Sequence, residues 1–146
     1  MKLVCKRFEE LTVDELYRIL ECRAEIFIFE QNIVYHDLDY KDQRSYHLFI
    51  EEDGRLLSYL RVIDSGVKYP ASSIGRVVTV KDRRKEGLAG KLIEKAIEII
   101  RDRGEKIIKI EAQAYLKKYY ESFGFKPTSV EYILEGLPHI DMIYEL

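Results

Sequence analysis

The sequence predicts an α/β fold, a mixed sheet flanked by helices. Three observations carry this expectation. Short apolar runs of strand length recur along the chain, two longer runs have helical periodicity, and no repeat or low-complexity tract interrupts them. One strand, Ile74 to Val80, also passes through a glycine-containing turn directly into a helix, and a further strand follows that helix. The 146 residues are enough for one domain with a real core, so residues 1–146 are expected to form a single unit.

Leu3 to Phe8 reads as the first strand. Thr12 with Glu15 forms a capping box for the helix that follows. Val13, Leu16, Tyr17, Leu20, Ala24, Phe27 and Ile28 recur at helical spacing and predict its buried face, with the helix ending near Glu30. A polar loop runs to Arg44. Tyr46 to Glu51 and Leu56 to Ile63 then form a hairpin around Asp53-Gly54, a strong turn signal. Tyr69-Pro70 separates this hairpin from the strand Ile74 to Val80. In the second helix Leu88, Leu92, Ile93, Ala96, Ile97 and Ile100 make one apolar stripe, and Gly104 stops it. The strand Lys106 to Gln113 follows, then a short helical run through Tyr119 and Tyr120. A strand near Ser129 to Leu134, a turn at Gly136-Leu137-Pro138 and a last strand from Ile140 to Tyr144 complete the chain.

Charged residues make up 34% of the chain, yet the formal net charge is only -2. This leaves no global attraction to nucleic acid or to an acidic membrane, so neither is expected as a partner. No stretch approaches the roughly 20 apolar residues of a helical membrane span. The opening Met1-Lys2-Leu3-Val4-Cys5-Lys6-Arg7 lacks an uninterrupted signal core, so a cytoplasmic location is expected. Cys5 and Cys22 make no disulfide framework and no Cys-x-x-Cys pair, and they read as reduced structural thiols.

The stretch Arg84-Lys85-Glu86-Gly87-Leu88-Ala89-Gly90 is the most specific local feature. A strand that ends in such a turn and opens a helix offers free backbone N–H groups beside the positive end of the helix dipole. Lys81, Arg83, Arg84 and Lys85 add positive charge, so the loop reads as a phosphate or pyrophosphate site. A Walker loop is excluded, because Gly90-Lys91 is followed by Leu92 and the earlier glycine position holds Lys85. A dinucleotide fingerprint is excluded as well, because Gly87 and Gly90 have no partner glycine ahead of them. What remains is Arg84-x-x-Gly87-x-Ala89.

This pattern resembles the coenzyme A pyrophosphate loop of the GNAT superfamily of N-acetyltransferases, written Gln/Arg-x-x-Gly-x-Gly/Ala. A second GNAT signature is an amide residue at a strand end, followed seven residues later by Tyr and then by Gly-Phe; it is similar to Gln113, Tyr120, Gly124 and Phe125. Two signatures in the right order are more specific than either alone. Arg23 to Gln31 with Tyr35, Asp37, Asp39 and Asp42, together with Ala112-Gln113-Ala114 and Pro138-His139-Ile140, resembles the ElaA-type branch. The resemblance spans nearly the whole chain. It implies a centrally splayed sheet of about seven strands and acetyl-CoA as co-substrate.

In that reading the backbone around Val78, Thr79 and Val80 would meet the pantetheine arm, and an N–H there would suit the oxyanion. Arg84, Lys85, Glu86, Gly87, Leu88, Ala89 and Gly90 would hold the pyrophosphate, and Gln113 would bond the pantetheine or order a water. Tyr120 is the implied general acid, since a phenol with a pKa of about 10 can donate to a thiolate whose thiol titrates near 8.5. A lysine-like amine is neutral about once in a few thousand at pH 7, so a base is needed. Glu30, Asp37, Asp39, Glu111 and His139 are candidates; Glu30 and His139 are preferred. The His36-Asp37-Asp39-Asp42 stretch reads as a polar loop in preference to a metal site, and its acidity favours a cationic acceptor.

The expected reaction is direct transfer of an acetyl group to a primary amine of a small molecule, or to a lysine or N-terminal amine of a protein. Alternatives are a different acyl donor, because autoinducer synthases share a related fold, and a CoA-binding sensor or scaffold without turnover. Exposed strand edges and tyrosines would also permit a homodimer.

Overall fold

The computed structural model describes residues 1–146. The strands are β1 (Lys2–Arg7), β2 (Ser45–Glu52), β3 (Arg55–Ile63), β4 (Ser73–Thr79), β5 (Ile107–Gln113), β6 (Lys126–Pro127), β7 (Tyr132–Leu134) and β8 (Leu137–Glu145). The helices are α1 (Val13–Arg23), α2 (Leu88–Asp102) and α3 (Lys117–Glu121). β1 to β4 form one antiparallel sheet in sequence order; β5, β8 and β6 form another, with β7 paired to β8. The two meet at a single parallel bridge, Ser72 to Ile108, where the Lys109 N–H donates to the Ser72 carbonyl at 3.1 Å. Beyond that bridge β4 and β5 separate. The splayed α/β sheet expected from the sequence is therefore present, with eight strands where about seven were expected.

The extra strand is β6, whose two residues and proline give no periodic signal. The strand expected over Ser129 to Leu134 forms only at its end. Its turn is the two-residue pair Glu135-Gly136, with φ of 51° and 77°, which suits a tight hairpin and lets β8 start at Leu137.

α2 buries the six residues of its predicted stripe. α1 does not follow its prediction. Its buried residues are Glu15, Ile19, Cys22 and Arg23, whereas Val13 and Tyr17 are 84% and 74% exposed. Two charged residues sit on the buried face because each finds partners there: Glu15 takes Lys6 at 2.9 Å and caps Thr12, and Arg23 binds two aspartates. The α-helix also stops at Arg23. Ala24–Glu30 continues it as a π-helix, a wider turn often found at functional sites.

The core lies on both faces of the sheets. α2 covers Leu48, Leu60, Val62, Ile74, Ile108, Ile110 and Met142, while α1 covers Val4, Phe49, Tyr59 and Val78. Because Ile108, Ile110 and Ala112 point toward α2, alternation along β5 turns Lys109, Glu111 and Gln113 to the opposite face. No helix is long and apolar enough to cross a membrane.

Candidate active site

β4 leads to the anion loop. A single 3-10 turn, Lys81–Arg83, is followed by Lys85 and Gly87 at φ of 68° and 75°, and α2 starts at Leu88. The first helical bond is the Lys91 N–H to the Gly87 carbonyl at 3.2 Å. The N–H groups of Leu88, Ala89 and Gly90 therefore point out of the helix end with no carbonyl of their own helix to meet. Gly90 is also a packing residue, since an added Cβ would lie 3.4 Å from the Phe123 ring.

The expected positive charge is partly cancelled. The Arg84 guanidinium donates to both Glu30 oxygens at 2.8 and 2.7 Å and to the Thr79 carbonyl at 3.0 Å. Arg83 is held by Glu52 and Glu86. Lys81 and Lys85 form no ion pair and are the free cations beside the turn. Glu30, expected on the acceptor side, thus reaches the anion loop, and Arg84 holds its carboxyl below the usual range.

The β4 edge is open in part only. The Val80 N–H donates to the Leu57 carbonyl at 2.9 Å, so this group, expected to be free, is committed to β3. The Val78 carbonyl accepts from Ser58 Oγ at 2.8 Å. Alternation then turns the Thr79 N–H away from β3, toward the gap left by β5.

Across the gap stand the residues of the second signature. Tyr120 on α3 is 7% exposed, with its ring edge-on to Phe125 at 5.9 Å and to Tyr119 at 5.5 Å. Burial pushes its phenol above the ordinary tyrosine range, so it holds its proton throughout neutral pH. Gly124 is required where it stands, because its φ is 110° and an added Cβ would lie 2.9 Å from the Tyr144 ring.

Gln113 and His139 are register partners on β5 and β8. Gln113 donates to Gln31 at 3.4 Å, while its Oε1 is buried with no partner, an acceptor that suits an amide N–H of a bound arm. His139 is 9% exposed, and its ring stacks on Tyr132. Its Nδ1 lies 2.9 Å from the Leu137 carbonyl, which can only accept. Nδ1 therefore donates to it, and Nε2, which has no hydrogen-bond partner, is the ring nitrogen that could serve as a base. One step along the same face, Glu111 and Asp141 are register partners. The Tyr69 and Tyr132 hydroxyls donate to them, and Lys68 pairs with Glu111 at 3.1 Å.

The aspartates of the 31–44 loop do not form an acidic surface. Asp37 binds Arg23 and Arg76, Asp39 binds Arg61 at 2.5 Å, and Asp42 binds Arg23 and Arg61 at 2.7 and 2.9 Å. Burial alone would raise Asp39 and Asp42, but the guanidinium partners outweigh it and hold both well below the ordinary range. The acceptor preference read from these residues is corrected accordingly: their charge is spent inside the protein. Arg61, Arg76 and Tyr132 are the residues here that the sequence did not single out, and Arg23 and Gln31 were named only as the ends of the ElaA-like segment, without a role.

Two sheets that part between β4 and β5, beside a strand-to-helix turn with free N–H groups and with α3 packed against it, form the arrangement of a coenzyme A-dependent acyltransferase, and comparison with known proteins agrees. The model of the acetyltransferase (GNAT) domain matches residues 22–146, and the chain belongs to that family. Its type is that of ElaA. The Escherichia coli ElaA protein is 34% identical over 94% of this chain and 92% of its own length, and its crystal structure superposes with a TM-score of 0.92 over 99% of both chains. An acyl-CoA N-acyltransferase from Pseudomonas aeruginosa is 35% identical, with a TM-score of 0.92 over 98% of both chains. The acyl-homoserine lactone synthase BjaI, at 16% identity and a TM-score of 0.81 over 98% of this chain and 82% of its own, shares the fold. The chain is a GNAT acyltransferase.

Proposed function

We propose that the protein transfers an acetyl group from acetyl-CoA directly to a primary amine of a small molecule or of a protein. The observation that supports this is the parting of β4 and β5, with the Thr79 edge and the free N–H groups at the start of α2 on one side and the Gln113–His139 pair of β5 and β8 on the other. Leu88, Ala89 and Gly90 N–H groups, with Lys81, Lys85 and Arg84, would hold the pyrophosphate. The orphan Gln113 Oε1 would accept from a pantetheine amide, and the Thr79 N–H faces the same gap.

His139 is preferred over Glu30 as the base. Its Nε2 is free, whereas Glu30 is engaged by Arg84. In the reaction the ammonium of the acceptor loses one proton to Nε2, the neutral amine forms a C–N bond at the thioester carbon, and the C–S bond breaks. The departing thiolate takes the Tyr120 proton, the nitrogen of the new amide gives up its extra proton through water to the phenolate, and the proton held on Nε2 leaves to solvent. Glu111 and Asp141 on the same face are each paired with a lysine, Lys68 at 3.1 Å and Lys109 at 3.9 Å, so they set no charge preference among amines.

The test is thiol release from acetyl-CoA, followed across a panel of amines and against propionyl-CoA. In Tyr120→Phe, acetyl-CoA binding should persist while kcat drops by about 10²-fold or more. An unchanged rate removes Tyr120 from the chemistry. Absence of acetyl-CoA binding by the unmodified protein removes the proposal.

A further inference from the structure

We infer that Arg76 is a positioning residue: its clamp on Asp37 fixes the bulge of β4 and thereby the strand edge that faces the thioester. The inference rests on the acyl-transfer reading above. Between β3 and β4 the register shifts, so that Tyr59 lies opposite Val78 but Arg61 lies opposite Gly75. The extra residue makes a β-bulge, and Arg76 in it has a φ of 53°. A side-chain-bearing residue is uncommon in that conformation and holds it at a cost.

The Arg76 side chain forms a guanidinium fork. Arg76 Nε donates to Asp37 Oδ1 at 2.8 Å, and Nη2 donates to the Asp37 carbonyl at 3.0 Å and to Asp39 Oδ2 at 3.5 Å. The guanidinium lies 5.5 Å from the centre of the Tyr35 ring, and the Tyr35 hydroxyl donates to the same Asp37 oxygen at 2.7 Å. Asp37 is itself immobilised. The wholly buried Arg23 donates to its Oδ2 at 3.0 Å and to its carbonyl at 3.1 Å.

The bulge is thus tied to α1 through two ion pairs. Directly after it the chain runs through Val77 to Thr79, the stretch that turns an N–H toward the gap. A bulge sets the direction in which the next residues aim, and reacting groups displaced by about 1 Å can lose about 10²-fold in rate. The pyrophosphate loop begins only after Val80 and is anchored separately by Arg83 and Arg84. Loss of the clamp should therefore reach the rate before it reaches cofactor affinity.

The experiment compares Arg76→Gly, Arg76→Lys and Asp37→Asn with the unmodified protein. Glycine accepts a φ of 53° without strain, so Arg76→Gly removes the clamp while leaving the bulge accessible. The expected result is a kcat lower by about 10- to 100-fold, an unchanged acetyl-CoA Kd by calorimetry and a folded protein by circular dichroism. Arg76→Lys should be nearly as slow, because an ammonium cannot form the fork. Added guanidinium ion at sub-denaturing concentration should restore part of the rate of Arg76→Gly and none of that of Arg76→Lys.

Amide hydrogen exchange provides a readout independent of turnover. Val77 to Thr79 should exchange faster in Arg76→Gly while β1 and β2 do not change. A wild-type rate in Arg76→Gly, a loss of rate matched by equal loss of acetyl-CoA affinity and melting temperature, or unchanged exchange at Val77 to Thr79 would each overturn the inference. If the unmodified protein binds acetyl-CoA but acylates no amine, the functional proposal fails; the exchange result still decides whether Arg76 fixes the edge.

Discussion

Replacing Glu30 by Gln should make the protein bind acetyl-CoA more tightly. Glu30 holds Arg84 through two hydrogen bonds at 2.8 and 2.7 Å, and Arg84 is the arginine of the anion loop. A pyrophosphate that engages this guanidinium must first displace the carboxylate. The two side chains are 33% and 40% exposed, which places the pair among surface ion pairs worth about 0.2–1 kcal/mol. Its removal should therefore tighten binding by roughly 1.4- to 5-fold. Titration calorimetry at low ionic strength measures this directly, and the advantage should shrink in added salt.

The effect has a definite pH dependence. Arg84 lowers the Glu30 pKa in the folded protein, so the pair is complete above the ordinary carboxylate pKa and is lost as pH falls through the depressed value. Wild type and variant should thus differ fully at pH 7 and converge in acid. Weaker binding by Glu30→Gln would refute the competition. An unchanged Kd with a collapsed kcat would instead make Glu30 the base and displace His139 from that role.

Three further outcomes are expected of the same structure. His139→Ala, which removes the free Nε2, should lower kcat and make the remaining rate rise with pH as the amine itself deprotonates; a pH–rate profile parallel to that of the unmodified protein would exclude His139 as the base. Gly124→Ala should lower stability by about 1–3 kcal/mol, measured by urea unfolding, because an alanine must hold a φ of 110° with its Cβ against Tyr144. Acid should unfold the protein through its aspartates. Asp39 and Asp42 are depressed in the folded state, so their contribution is full above the unfolded pKa of about 4 and is lost as pH falls through the lower folded values. The melting temperature should be flat from about pH 7 to 5 and drop below about pH 4, and a flat profile to about pH 2.5 would contradict the buried pairing.

The contrast between α2 and α1 explains how far the sequence could be read. The six-residue stripe of α2 is apolar throughout, so its periodicity and its burial are one fact. α1 buries Glu15 and Arg23, and no periodicity rule assigns a charged residue to a core. Their burial depends on partners elsewhere in the chain: Asp37 and Asp42 lie 14 and 19 residues from Arg23, and only the folded loop brings them to it. The same long-range pairing makes an apparently acidic loop electrically quiet. Contiguous parts of the site were legible because local backbone geometry makes them. The Gly87 turn opens α2, and Gln113, Tyr120 and Gly124 succeed one another through β5, α3 and the turn that follows it. The Thr12–Glu15 capping box and the Asp53-Gly54 turn are equally local. His139 is legible as part of a motif, but its useful property is not: only the Leu137 carbonyl at Nδ1 leaves Nε2 free. Arg76 carries no local signal at all, because a bulge is a mismatch between two strands and a single strand read alone has no register to lose. What the sequence conceals here is where arginines end. Those endings set the charge of the anion loop through Arg84, the charge of the 31–44 loop through Arg23 and Arg61, and the line of the β4 edge through Arg76.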